Sequence, residues 1–170
     1  MRFTNSPIHQ LTMIHIANAL QTTVEAALPR LRKLSDRQAA RDRGAGKWTL
    51  KEILGHLIDS AANNHQRIIR ARSSDPLIFP SYEQDDWVTA HGYRARSWSE
   101  LVDIWVAYNA QVSQIIASIP ADRRAVQCRI GDNEPVTLEA LVQDYLRHME
   151  HHLGQILTAE SRRSAGEAAE

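Results

Sequence analysis

Apolar residues recur every three to four positions in four stretches of the chain, and no stretch shows a convincing strand alternation. The first opens at Ser6-Pro7, a cap residue followed by proline at the first helical position. It carries Ile8, Leu11, Ile16, Ala19, Leu20 and Val24 toward Pro29, which is expected to end or kink it. Ser35 to Gly46 is polar and reads as a connection. The second stretch begins at Trp48-Thr-Leu-Lys-Glu-Ile53, where Thr49 and Glu52 form a capping box and Trp48 is placed to staple onto Ile53. It continues through Leu54, Leu57, Ala61, Ile68 and Ala71 and stops near Ser73-Ser-Asp-Pro76. Ser97-Trp-Ser-Glu100 repeats the capping-box pattern and starts a third helix with Leu101, Val102, Trp105, Val112, Ile116 and Ile119, ending at Pro120. Thr137 caps the fourth, which carries Leu138, Leu141, Val142, Tyr145, Met149, Leu153 and Ile156 to about residue 160.

Four amphipathic helices in one domain predict an all-α four-helix bundle over residues 1–160, followed by a small, polar, flexible tail, 161–170. Residues 73–96 form a long stretch with prolines, acids and aromatics and no clear period. A connection of that length is a crossover, which makes the order up-down-down-up, or a functional segment. Tyr82, Asp85, Asp86, Trp87 and Tyr93 make it aromatic and acidic, as a pocket cover would be, although Trp87 and Tyr93 also suit anchoring to the core. Trp98 and Trp105 are expected in the core.

The composition narrows the function. At 170 residues, 43% apolar and 24% charged, the chain has the makeup of an ordinary globular domain. Lys plus Arg and Asp plus Glu balance at 20 each, so no net field draws it to nucleic acid or an anionic membrane. No apolar run is long enough for a membrane span or a signal peptide, and the lone Cys128 suits a reducing compartment. The expectation is a cytoplasmic protein acting on a small molecule, with Cys128 a bland thiol.

Candidate chemistry sits in the fourth helix, where His148, His151 and His152 crowd together. At about 100° per residue, His152 falls inside the apolar stripe, His148 on its edge, about 40° away, and His151 toward solvent. Two imidazoles at positions i and i+4 share a face and can grip one ion, and a catalytic metal site needs a third protein ligand. The second helix offers His56 and His65. On its wheel His65 lies about 55° from the apolar centre and His56 about 125°, favouring His65. Axial level favours His56 if the second and fourth helices are antiparallel, and His65 if they are parallel. The choice between the two therefore depends on topology.

The blocks Gly46-Lys-Trp-Thr-Leu-Lys-Glu-Ile-Leu-Gly-His-Leu57 and His148-Met-Glu-His-His-Leu-Gly-Gln-Ile156 together resemble the helix signatures of the DinB/YfiT-like family. That resemblance implies an up-down-down-up bundle with a divalent metal, zinc or nickel, held by His56, His148 and His152. It also implies thiol S-transfer with a low-molecular-weight thiol as the leading activity, with metal-assisted hydrolysis or a non-catalytic, metal-stabilised binding module as alternatives. A homodimer paired through bundle faces is the assembly it suggests. Asp59, Ser60 and Asn63 near His56, and Gln155 after His152, are candidates to orient a ligand histidine or a bound water. His65 and His91 are expected on the surface or in a loop.

Overall fold

The structure is a computed structural model that describes the backbone of residues 7–167 and the side chains of residues 13–159. Four long helices form the bundle: α1 (Pro7–Lys33), α3 (Leu50–Ala71), α5 (Trp98–Ala117) and α6 (Leu138–Glu167). Two short helices, α2 (Asp36–Ala39) and α4 (Gln84–His91), lie in the connections. Helix α5 packs on α1 and α3, and α6 packs on the same two helices.

Contacts between helix ends establish the order. Trp98 Nε1 at the start of α5 donates to Leu31 O near the end of α1, and Ser113 Oγ donates to Ala17 O, so α1 and α5 are antiparallel. Helices α3 and α5 run parallel: Lys51 Nζ donates to Arg96 O beside their starts, and Arg72 Nη1 donates to Ser118 Oγ at their ends. Arg30 Nη2 near the end of α1 donates to Leu157 O far along α6, making that pair parallel. The result is the expected up-down-down-up bundle.

Local signals account for most of the boundaries. Thr49 accepts from the Glu52 amide while Glu52 Oε2 accepts from the Thr49 amide, which satisfies two helix-start donors at once. Thr137 Oγ1 accepts from the Ala140 amide and starts α6. The box expected at Ser97 and Glu100 does not form. Ser97 Oγ meets Ser99 Oγ instead, and Asp36 Oδ1 accepts from the Trp98 amide. Asp36 is itself held by the buried Lys51, whose Nζ lies 2.9 Å from Asp36 Oδ2. A cap supplied from α2 replaces the local one because the fold brings a carboxylate to that helix start. Pro29 does not end α1, which continues to Lys33. The expected cap at Ser6 lies outside the described residues. Helix α6 runs past residue 160 to Glu167, and residues 168–170 also lie outside the description.

The 73–96 stretch contains more structure than its pattern announced. It holds strand β1 (Leu77–Phe79), helix α4 and a 3-10 turn, Tyr93–Ala95. β1 pairs in parallel with β2 (Gln127–Ile130), Leu77 opposite Cys128, and β2 pairs antiparallel with β3 (Val136–Thr137). Two to four residues are too few to show a period of two, which is why no strand was legible. The small sheet closes the end of the bundle opposite the start of α3, and its Leu77 and Cys128 are buried.

Candidate metal centre

Helix α3 is buried on nearly every side over its first half. From Leu50 to Ala61 only Glu52 escapes full burial, because α5, α6, α4 and the 3-10 turn all pack around it. A helical wheel assumes a single apolar stripe, and this helix has no solvent face there. His56, well off the apolar centre on that wheel, is therefore only 2% exposed.

His56 meets the two histidines of α6. Its Nε2 lies 3.0 Å from His148 Nε2, and its ring centroid lies 4.8 Å from that of His152. One ring nitrogen from each of His56, His148 and His152 falls within 4.8 Å of the others. Since α3 runs parallel to α5, α5 antiparallel to α1, and α1 parallel to α6, α3 and α6 are antiparallel, the condition under which axial level selects His56 over His65. His65 stands elsewhere, with Nδ1 3.3 Å from Tyr108 Oη on α5. His151 points to solvent, as its helical position requires.

The electrostatics suit cation ligation. Burial pushes His56 down to about 3, with the charges of His148 and His152 adding to it. His152 is lowered to about 4 by burial and by His148 and His151, which outweigh an opposing effect of the Gln155 side chain. His148 is also lowered by burial, with Asp144 opposing. All three imidazoles are neutral near pH 7 and offer lone pairs. His56 Nδ1 and His152 Nδ1 are buried without a hydrogen-bond partner. Orphaned buried nitrogens are costly in a structural cluster. Three such imidazoles converging from two helices have the donor chemistry of a zinc or nickel site, so the residues fit a divalent cation.

Supporting side chains are only partly those expected. Ser60 Oγ lies 3.4 Å from His148 Nδ1, which holds that ring with Nε2 turned to the cluster. Trp48 packs its ring 5.1 Å from the His56 ring and covers one side of the site. Asp59 faces away from the histidines. Its Oδ1 accepts from Tyr93 Oη at 2.6 Å and lies 3.1 Å from His91 Nδ1, while Oδ2 is buried without a partner. Burial raises the Asp59 pKa, opposed by the Tyr93 hydrogen bond and the His91 charge. Asn63 Nδ2 donates to Asp59 O, and Gln155 Nε2 lies 3.0 Å from His151 Nε2. Tyr93 reaches Asp59 because residue 55 is glycine: a Cβ there would meet the Tyr93 ring at 2.1 Å. The contact of His91 with Asp59 crosses a segment without periodicity, and no sequence signal announced it.

The crossover residues divide between roles. Tyr82 and Trp87, with ring centroids 4.8 Å apart and planes tilted by 46°, line a cleft of about 410 Å³ together with Asn63, Phe79 and Tyr108. Asp85 and Asp86 are exposed in the first turn of α4. Tyr93, Trp98 and Trp105 are in the core. Cys128 is sealed from solvent, and burial pushes its thiol up to about 11. No helix among the described residues is long and apolar enough to cross a membrane.

Comparison with known proteins places this arrangement. The chain is 22% identical over 131 residues to a "Putative metal-dependent hydrolase" of Geobacillus thermodenitrificans, covering 76% of this chain and 74% of that protein. A protein of the same description from Oceanobacillus iheyensis is 23% identical over 134 residues, covering 76% and 77%. Among solved structures, YfiT from Bacillus subtilis, described as a probable metal-dependent hydrolase with an unusual four-helix bundle topology, superposes with a TM-score of 0.76. That match has 18% identity and covers 96% of this chain and 93% of YfiT, so it speaks to the fold. The DinB superfamily model matches residues 19–156, a span that contains all three clustered histidines and the four-helix core, and the chain belongs to that superfamily.

Proposed function

We propose that this chain is a metal-dependent enzyme acting on a small molecule, with His56, His148 and His152 holding one divalent cation, zinc or nickel by ligand type. The observation that carries the reading is the buried convergence of three neutral imidazoles whose remaining ring nitrogens are largely without protein partners. A divalent cation held there supplies Lewis acidity, which lowers the pKa of a coordinated nucleophile and polarises an electrophilic oxygen.

The chain's own residues do the rest. Ser60 keeps His148 Nε2 turned inward, and Trp48 keeps water off one flank of His56. His148 and His152 are half-buried, so a substrate approaches from the α6 side. Cys128 provides no thiolate near neutral pH. In this reading the nucleophile enters from solution. Water as nucleophile makes the protein a hydrolase, which the descriptions of its relatives favour. A low-molecular-weight thiol in the same place makes it an S-transferase.

Metal analysis of the purified protein, followed by turnover of an ester and an alkyl-halide panel with and without added thiols, tests the reading. The expected result is about one zinc or nickel per chain, lost in His148→Ala, with metal-dependent turnover by water or by thiol. Stoichiometric metal without turnover under either condition would leave only a metal-stabilised binding module. No stoichiometric metal in the wild-type chain would sink the reading altogether.

A further inference from the structure

Several arginine side chains among the described residues have hydrogen-bond partners. Arg123 donates to Ala71 O and Ser74 O, Arg72 to Ser118, Arg32 to Asp103, and Arg147 to Asp144. Arg67 differs. It is half-buried on α3, its Nε is buried without a hydrogen-bond partner, and no described carboxylate lies within ion-pair range of it. Its guanidinium rests 5.7 Å above the Phe79 ring. Holding a guanidinium partly out of water without a counter-ion is unfavourable, since the charge cannot be shed as a lysine's can.

The unpaired group faces a cavity. Arg67 lines a space of about 330 Å³ with Tyr82 from the crossover, Asn133 and Glu134 from the β2–β3 loop, and Leu141 and Asp144 from α6. The cavity belongs to the same seam as the histidines. Arg67 is eleven residues beyond His56, about 20° from it around α3. Because α3 and α6 are antiparallel, moving from Ser60 to Arg67 on one helix matches moving from His148 back to Leu141 on the other. Both steps are seven residues, or about 10 Å.

We propose that Arg67 forms a subsite for the carboxylate of a small-molecule ligand, along the α3/α6 seam about 10 Å from the level of His148 and about 16 Å from that of His56. The planar guanidinium pairs with a carboxylate through two parallel N–H···O bonds, and Tyr82 offers a hydroxyl beside it. Glu134 and Asp144, which line the same cavity, repel any anion and a phosphate dianion more strongly than a single carboxylate. Asp144 pairs with Arg147, its Oδ1 lying 3.1 Å from Arg147 Nη2, and forms no ion pair with Arg67. That the far end of such a ligand reacts at the histidines rests on the metal-enzyme reading. The carboxylate subsite itself does not.

The test uses the full-length His148→Ala protein, stripped of metal so that the probe cannot coordinate an ion. Calorimetric titration with hexanoate, hexanamide and hexyl phosphate, at fixed ionic strength, compares the three head groups. Hexanoate is expected to bind at least tenfold more tightly than either analogue, with binding lost on adding Arg67→Met and partly kept with Arg67→Lys. Thermal unfolding confirms that each variant is folded. Equal binding of hexanoate and hexanamide, tighter binding of the phosphate, or undiminished hexanoate binding in a folded Arg67→Met variant would overturn the assignment. Metal titration of the wild-type chain reads the histidine site separately, so either proposal can fail while the other stands.

Discussion

The two sides of the bundle solve the same packing problem with opposite chemistry. On one side, α1 buries Met13, Ala17, Leu20, Val24, Ala27 and Leu31 at three- and four-residue spacing against α5, which contributes Leu101, Val102, Trp105, Val112 and Ile116. On the other, α3 and α6 bring together buried or half-buried His56, Ser60, Asn64, His148 and His152. Among the described residues, α3 and α6 carry four buried side-chain atoms without partners, at His56, Asp59, Arg67 and His152, against one, Trp105 Nε1, on α1 and α5. The apolar seam gains stability from burial, and the polar seam gives some of it up. Such a loss is expected where side chains are kept ready for a ligand rather than for each other.

The sharpest break in that comparison comes from exchanging a histidine for an apolar residue. His56→Leu is expected to abolish stoichiometric metal binding while leaving the metal-free protein as stable as before or more so, since it removes an orphaned buried nitrogen. Calorimetric metal titration and thermal unfolding of the metal-free form measure the two halves; marked destabilisation without metal would show the polar seam to be structural. The converse change on the apolar seam is Leu20→Ala. It should cost about 2 to 5 kcal/mol by leaving a cavity, with the metal response of the folded protein intact. Denaturant unfolding with and without zinc distinguishes that from a coupled effect.

Acid should separate the seams without mutation. In the unfolded chain the three histidines titrate near 6.5, whereas in the fold His56 is held down to about 3 and His152 to about 4. Below pH 6.5 the unfolded state binds more protons, so stability is fully present above 6.5 and is lost progressively down to the folded values. His56 alone should cost the metal-free protein about 2 kcal/mol between pH 7 and pH 5. A stability profile as steep in His56→Leu as in the wild type would assign the acid sensitivity to other groups. The smallest expected effect is that of Ser60→Ala, which removes the neighbour of His148 Nδ1 without touching a ligand nitrogen. Metal affinity should fall about tenfold, with little change in metal-free stability. Unchanged affinity would mean that the rest of the seam already fixes the ring.

How legible each part was depends on the range of the forces involved. The Thr49/Glu52 box and the Thr137 cap were readable because each is closed within one helical turn. The Ser97 box failed as a reading because Asp36, brought across the fold by the buried Lys51, takes the Trp98 amide. The pair His148/His152 followed from the helical period alone. The third histidine did not, since the wheel of α3 favoured His65 and axial level could not decide without a topology. The strands and α4 were hidden because short elements carry too little periodicity, and the contact of His91 with Asp59 because it joins distant segments.

By itself the sequence determined four amphipathic helices, two of their caps and a pair of histidines on one helical face, all consequences of spacing over a few residues. The tertiary structure decided that α3 is wrapped on all sides, and it turned the expected antiparallel run of α3 against α6, on which the choice of His56 over His65 depended, into a meeting of His56 with that pair. It also decided that Arg67 stands without a counter-ion among the described residues farther along the same seam. Those facts depend on which helix lies beside which and in what direction, and packing across the whole chain, rather than any local pattern, sets both.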